Sequence, residues 1–254
     1  MTGAWDHTAR LWDIETGSPI HTFSFAKSVT ALDVSSDGTK LVIGLGAAPY
    51  IQVADIPTRT ILPTTFSGVS GNVYSVAFSP AGTEILAGTG SGTDGSAKLW
   101  SVADGAPLYT YNHPNAVGPV AFSHDGTMIV TGCNDSYARV WDKDSPGAPI
   151  QMFDHETAVS VVKFSNDNTQ LLTEDYYVPS ATETDSFRAN LWDLDSGNLL
   201  NQFSSHGDQL SSVDFSPDGN KILTGSGDGT AAVWELNPPR AIIVAGGGYY
   251  PGNS

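Results

Sequence analysis

Cysteine is nearly missing from this chain. Cys133 stands alone among 254 residues, which excludes an intrachain disulfide framework and a cysteine-rich zinc site. Basic residues are scarce as well: eleven Lys and Arg face 27 Asp and Glu, for a formal net charge of −16. Nucleic-acid affinity rests largely on neutralising phosphates, and a surface of this sign repels them. A polybasic anchor on anionic lipid is excluded on the same ground. No apolar run approaches the ~20 residues that span a bilayer. The N-terminal stretch Met1-Thr-Gly-Ala-Trp-Asp-His7 has neither the basic nor the apolar segment of a signal peptide. These absences lead to the expectation of a cytoplasmic protein with no nucleic acid and no membrane among its partners. Helical periodicity is missing too, because no stretch repeats apolar residues every ~3.6 positions.

Aromatic and turn-forming residues are plentiful instead. Six Trp, nine Tyr, ten Phe and 27 Gly supply a core and argue against wholesale disorder. The Trp residues keep a beat: Trp12-Asp13, Trp100-Ser101, Trp141-Asp142, Trp192-Asp193 and Trp234-Glu235, with Ala54-Asp55 filling the gap. The steps are 42, 46, 41, 51 and 42 residues. A second landmark recurs in phase, at Val34-Ser-Ser-Asp-Gly38, Phe78-Ser-Pro-Ala-Gly82, Phe122-Ser-His-Asp-Gly126, Phe164-Ser-Asn-Asp-Asn168 and Phe215-Ser-Pro-Asp-Gly219. This is turn chemistry, in which Asp bonds its own backbone and Gly accepts a positive φ.

Each unit contains short strand-like runs. In the last, Leu210–Phe215 alternates, Lys221–Thr224 follows the turn, and Ala231–Trp234 follows a second turn at Gly225–Gly229. Fourth-strand candidates are Pro19–Phe23, Pro107–Tyr111 and Leu199–Phe203. Short strands separated by Gly/Asp/Pro turns at this period indicate an all-β propeller with one four-stranded sheet per repeat.

These units resemble the WD40-repeat family over residues 2–237. The resemblance implies a β-propeller of about six four-stranded blades, the first incomplete. The expected division is a half-blade at 2–23, then repeats at about 24–66, 67–111, 112–153, 154–203 and 204–237. A Pro/Gly-rich tail at 238–254 completes the chain. In that family a His before the first strand, a second-strand hydroxyl, a turn Asp and the Trp form a hydrogen-bonded tetrad. The resemblance assigns such structural tetrads to His113, Asp135 and Trp141 and, at the same offsets, to His206, Asp228 and Trp234. Their hydroxyl partner in the last unit is Thr224 or Ser226, which share one strand face; in the earlier unit Cys133 falls at that position. A buried indole N–H or imidazole left unpaired costs roughly 1–3 kcal/mol, hence the need for such a partner.

Other units depart from the pattern. Val69 replaces the His ahead of Asp94 and Trp100, while Phe25 and Ala54 replace His and Trp in the unit at 24–66, which is expected to be weaker. His155 keeps its offset to Phe164, but nine extra residues displace Trp192, and Asp185 is one residue out of register.

No catalytic constellation emerges. Cys133 with His113 and Asp135 has the letters of a nucleophile, base and orienter, yet Ser226, His206 and Asp228 repeat the arrangement where a structural tetrad is expected. Gly90-Ser-Gly92-Thr-Asp-Gly95 spells a dinucleotide fingerprint but leads into the strand Ala97–Trp100 instead of a helix. Asp193-Leu-Asp195-Ser-Gly197 lacks the remaining ligands of a calcium loop. Neither metal nor cofactor is expected.

The insertion Thr173–Phe187 replaces a tight turn with an acidic, aromatic loop. Loops carry function more often than the strands that hold them. Tyr176, Tyr177 and Phe187 are candidate anchors for a partner, with Glu174, Asp175, Glu183 and Asp185 steering a basic surface. The competing expectation is a solvated insertion without a role. In the tail, Ala241–Ala245 reads either as the fourth strand of the last blade or as a buried parallel strand opening an α/β unit. The second reading is similar to the start of a caspase-like peptidase domain fused to bacterial propellers, and it makes the chain a fragment of a longer protein. The function expected is a non-catalytic scaffold for protein–protein interaction on the loop face. The alternatives are a regulatory propeller of a caspase-like peptidase, or a small-ligand-binding propeller.

Overall fold

The computed structural model describes residues 1–48, 50–91, 94–175, 187–236 and 239–244, and every regular element among them is a β-strand. Six antiparallel sheets follow one another along the chain. The first has three strands: β1 (Thr2–Ala4), β2 (Thr8–Trp12) and β3 (Pro19–Ser24). The second comprises β4 (Val29–Val34), β5 (Lys40–Leu45), β6 (Ile51–Asp55) and a two-residue β7 (Thr60–Ile61). The third holds β8 (Asn72–Phe78), β9 (Glu84–Ser91), β10 (Asp94–Ser101) and β11 (Pro107–His113). The fourth is β12 (Val117–Phe122), β13 (Met128–Cys133), β14 (Tyr137–Asp142) and β15 (Gln151–Asp154). The fifth is β16 (Val159–Phe164), β17 (Gln170–Asp175), β18 (Arg188–Asp193) and β19 (Leu199–Ser204). The sixth is β20 (Leu210–Phe215), β21 (Lys221–Ser226), β22 (Ala231–Leu236) and β23 (Pro239–Val244).

The tail thus takes the first of its two readings over 239–244. β23 runs antiparallel to β22, with Ala231 opposite Val244, and is not a parallel strand opening an α/β unit. Of the Gly-rich run, Gly90 lies on β9 and Gly95 on β10, paired with each other in an antiparallel ladder and not at the start of a helix.

The recurrent Ser-x-Asp-Gly turn works by local hydrogen bonds. Ser35 donates to Asp37 (2.6 Å), Asp37 accepts from the Thr39 amide (2.9 Å), and the Lys40 amide returns to the Ser35 hydroxyl (2.9 Å). Gly38 takes φ of +69°, a conformation that a Cβ disfavours. In the fifth sheet Asn168 fills that place at +58°, Asn being among the few side chains that tolerate it. Its own Oδ1 then accepts from the His124 amide of the fourth sheet at 2.8 Å.

Five apolar clusters hold the six sheets together, one at each junction. Phe23 and Ala9 meet Leu41 and Ala54, Val42 and Val53 meet Val76 and Trp100, and Leu99 and Tyr111 meet Ile129 and Trp141. Val140 and Phe153 then meet Val162 and Leu171, and Leu191 and Phe203 meet Ile222 and Trp234. Among the described residues no such cluster joins the sixth sheet to the first. Leu223 is 49% exposed, whereas Val42, Leu86, Val130 and Leu172 at the same register position are fully buried. Among the described residues, then, no sheet covers the far face of the sixth.

Candidate binding face and the networks beneath it

Strand direction alternates within each sheet, so the loop between second and third strands emerges at the same end as the segment entering the first strand. The His-bearing segments and the facing ends of β17 and β18 therefore share one face.

In the sixth sheet the four polar residues come together. His206 Nε2 lies 2.7 Å from the Thr224 hydroxyl, and Trp234 Nε1 donates to the same oxygen at 3.0 Å. His206 Nδ1 lies 3.0 Å from Thr230 Oγ1 and 3.4 Å from Asp228 Oδ2. Asp228 also accepts from the Gly207 and Thr230 amides and the Thr230 hydroxyl. Burial alone would raise its carboxyl, but these donors hold it well below the usual carboxylate range. Thr224 is the shared hydroxyl, while Ser226 donates instead to the Asp208 carbonyl at 2.8 Å.

The fourth sheet departs from the expected tetrad twice. Thr131, and not Cys133, occupies the hydroxyl position, meeting His113 Nε2 at 2.9 Å and Trp141 Nε1 at 3.0 Å. Thr131 and Cys133 share a strand face, so the pattern of alternation cannot separate them; the register does, because Trp141 pairs with Ile129, two residues from Thr131. Asp135 does not bond to His113. It is captured by Arg139 through two parallel contacts of 3.0 and 2.6 Å, a bidentate geometry that suits guanidinium and carboxylate. His113 turns Nδ1 to the Tyr111 carbonyl at 2.9 Å. Burial lowers its pKa to about 4, so it is neutral, donating from Nδ1 and accepting at Nε2.

Cys133 is buried, with its Sγ 3.2 Å from the Asn115 carbonyl. Burial pushes the thiol up to about 11, which removes the thiolate a nucleophile needs.

Elsewhere the network is thinned or replaced. In the fifth sheet Trp192 Nε1 donates to Thr173 at 2.8 Å, and His155 packs edge-on against that indole. His155 is buried, its Nε2 has no hydrogen-bond partner, and burial lowers its pKa to about 4. In the third sheet Ala87 stands at the hydroxyl position, so Trp100 Nε1 turns to the Ser67 carbonyl at 3.0 Å, with Val69 packed nearby. In the second sheet Phe25, Ile43 and Ala54 occupy the three places, all buried in one apolar cluster. Its fourth strand has only two residues.

The proposed partner contacts fare differently. Glu174 and Asp175 belong to β17 and are 2% and 5% exposed, so they are not available to steer a partner. The acidic run continues from them into the insertion, which made them read as loop. Burial raises both carboxyls, that of Glu174 to about 7. Phe187 is half-buried and enters β18. Tyr176, Tyr177, Glu183 and Asp185 lie outside the described residues.

A cavity of about 570 Å³ opens among the inner strands β4, β8, β12 and β16, lined in part by Asp33, Ser75, Ser123, Ser160 and Lys163. Asp33 spans to the next sheet by accepting from the Phe78 amide at 2.7 Å. Among the described residues no three His, Cys, Asp or Glu are grouped as a metal site, and no helix is long and apolar enough to cross a membrane.

Comparison with known proteins gives a consistent picture. The family described as "WD domain, G-beta repeat" matches residues 61–101, 105–142 and 197–235. The chain is similar to the guanine nucleotide-binding protein subunit beta of Oryza sativa subsp. japonica, 25% identical over 96% of this chain and 54% of that protein. It is also 25% identical to the Protein LST8 homolog of Drosophila melanogaster, over 93% of this chain and 75% of that one. The serine-threonine kinase receptor-associated protein of Bos taurus is 24% identical over 92% and 62% respectively. The chain spans about half the length of the first of these relatives.

Proposed function

Since this chain is a WD40-repeat protein, we propose that it acts as a non-catalytic scaffold for protein–protein interaction, presenting the face that carries the His segments and the long insertion. One observation carries this reading. The groups that spell chemistry on that face are consumed inside the blades: His113 and His206 on threonine hydroxyls, Asp135 on Arg139, Cys133 as a buried thiol. What remains for recognition is loop surface held in place by packed sheets, which lowers the ordering cost of association. Two relatives carry names of assembly, one a subunit and one receptor-associated, in support of the same reading.

The partner is a protein that meets the insertion at 176–186 and Phe187. With Glu174 and Asp175 buried, attraction of a basic partner rests on Glu183 and Asp185. We also propose a cytoplasmic setting, consistent with a free thiol at Cys133. The test is quantitative capture of interacting proteins by the full chain, by a variant with 176–186 replaced by a short Gly/Ser turn, and by Glu183→Gln/Asp185→Asn. Loss of a specific partner in the first variant, with unchanged unfolding, is the expected result. Identical capture by all three would remove the insertion from the binding face.

A further inference from the structure

One position in the second strand of each sheet is set by the register, just past the bulge on the first strand. It is Gly44, opposite Ala31, in the second sheet, Gly88 opposite Ser75 in the third, and Gly225 opposite Ser212 in the sixth. Gly132 in the fourth sheet shares its pairing on the other side, opposite Ala138, as does Gly3 opposite Ala9 on β1 of the three-stranded first sheet. In the fifth sheet the residue is Glu174, opposite Val161 and Ala189.

Glycine at this place has a packing reason. A Cβ on Gly88 would stand 2.4 Å from the Gly118 carbonyl oxygen, and one on Gly44 or Gly132 2.8 Å from Val73 or Val159. Those atoms belong to the first strand of the next sheet, so the position faces the seam between neighbouring blades. At Gly225, beyond which no sheet packs among the described residues, the nearest atom is only Ser211 Oγ at 3.7 Å. Glu174 therefore places a side chain on the strand face that meets the sixth sheet through Leu172, where Gly44, Gly88 and Gly132 leave no room for a Cβ. It is buried there, and Ser160 donates a hydrogen bond to it.

Cations do not meet it. Among the described residues, the charged and titratable groups on the elements around it are Asp175 on β17, Lys163 on β16, Arg188 and Asp193 on β18, and Asp214 on β20, with His206 and Asp208 ahead of β20. Of these, Asp175 acts on the Glu174 carboxyl, and in the same direction as burial. Arg188 pairs with Glu156 and acts on Asp175.

We propose that the seam between the fifth and sixth sheets is a proton-controlled latch, closed while the Glu174 carboxyl keeps its proton and loosened when it ionises. A neutral carboxyl is tolerated in a buried seam beside a serine, whereas a carboxylate with no cation against it is not. Burial moves this group from 4.5 to about 7, so between those values the folded chain holds a proton that the unfolded chain has released. Seam stability accordingly falls as pH rises through that window. Among the described residues the sixth sheet packs on the fifth alone, so it is the element released, together with the His206 and Asp208 end of the recognition face.

Hydrogen exchange of the full chain, corrected for the intrinsic rate, tests this at pH 5.5 and 8. Protection over 210–226 is expected to drop about tenfold or more at the higher pH, the size of one or more units of proton linkage. Residues 117–133, whose seam carries Gly132, should change little. Glu174→Gln and Glu174→Gly, the second restoring the residue of the other blades, should both abolish the drop. A drop of equal size in either folded variant would overturn the proposal. So would uniform loss across both segments, or none in the wild type.

Discussion

In the sixth sheet, His206, Trp234 and Thr224 converge on one hydroxyl, and Asp228 anchors the segment that carries the imidazole. In the second sheet the same three places hold Phe25, Ala54 and Ile43, buried together without a polar atom among their side chains. Both sheets pack tightly against a neighbour. The difference teaches that the network is exchanged as a set: every buried donor must find an acceptor or vanish with it. The third and fifth sheets show the intermediate cases. In the third, Val69 and Ala87 replace the His and the hydroxyl and Trp100 turns to a carbonyl; in the fifth all three residues are present, yet His155 keeps a bare nitrogen.

The largest break comes from mixing the two solutions. Ala54 is tolerated in the second sheet because Phe25 and Ile43 fill the space around it. Trp234→Ala in the sixth sheet has no such filling and should lower stability by about 3–5 kcal/mol, the range for truncating a buried aromatic. The set His206→Phe, Thr224→Ile and Trp234→Ala should recover part of that loss in urea unfolding. If the triple variant were no more stable than the single one, exchange as a set would be wrong. A milder break is Thr224→Val, which keeps the shape and strands two ring N atoms, at roughly 1–3 kcal/mol for each group left unsatisfied.

A pH titration sharpens the contrast between the fourth sheet and the second, which buries no imidazole. His113 is neutral when folded, with a pKa lowered by burial from 6.5 to about 4. Between those values the unfolded chain binds a proton that the folded chain does not. Stability contributed by this site is therefore complete above pH 6.5 and is lost as pH falls toward 4, at most about 3 kcal/mol from ~1.36 kcal/mol per unit. The slope is opposite in sign to that of Glu174. Unfolding midpoints from pH 4 to 7 should thus rise more gently in His113→Phe than in wild type.

The blades were legible because turns and aromatics repeat along the chain. The Ser-x-Asp-Gly turns and the Trp beat mark β20 in full and the starts of β21 and β22, which each run two residues further than expected, and the offset from His206 to Trp234 marks a network that forms. Spacing does not report competition. Asp135 has the right offset, yet Arg139 four residues on is a better partner than a neutral imidazole. Glu174 was hidden by its neighbours, since an acidic run reads as loop. The signal that finds it is the dipeptide pattern Thr2-Gly3, Thr131-Gly132 and Thr224-Gly225, broken at Thr173-Glu174. Seen this way, the glutamate sits on a strand at a place reserved for glycine, and its burial follows.

The smallest expected effect is the most discriminating, because it separates a polar residue that is used from one that is merely present. His113 and His155 are both buried, and each packs edge-on against the Trp of its sheet. His113 spends both nitrogens on Tyr111 and Thr131. His155 has an Asn190 amide 3.5 Å from Nδ1, and its Nε2 is without a partner. Phenylalanine already occupies this place in the second sheet as Phe25. His113→Phe should therefore cost about 1–3 kcal/mol, since Tyr111 and Thr131 each lose a partner. His155→Phe leaves the Trp192–Thr173 bond in place and should change stability by less than about 1 kcal/mol, in either direction. Paired urea titrations at pH 7 make the comparison. Equal costs at the two sites would mean that the bare nitrogen of His155 is matched after all, and that the fifth sheet carries a network as complete as the fourth.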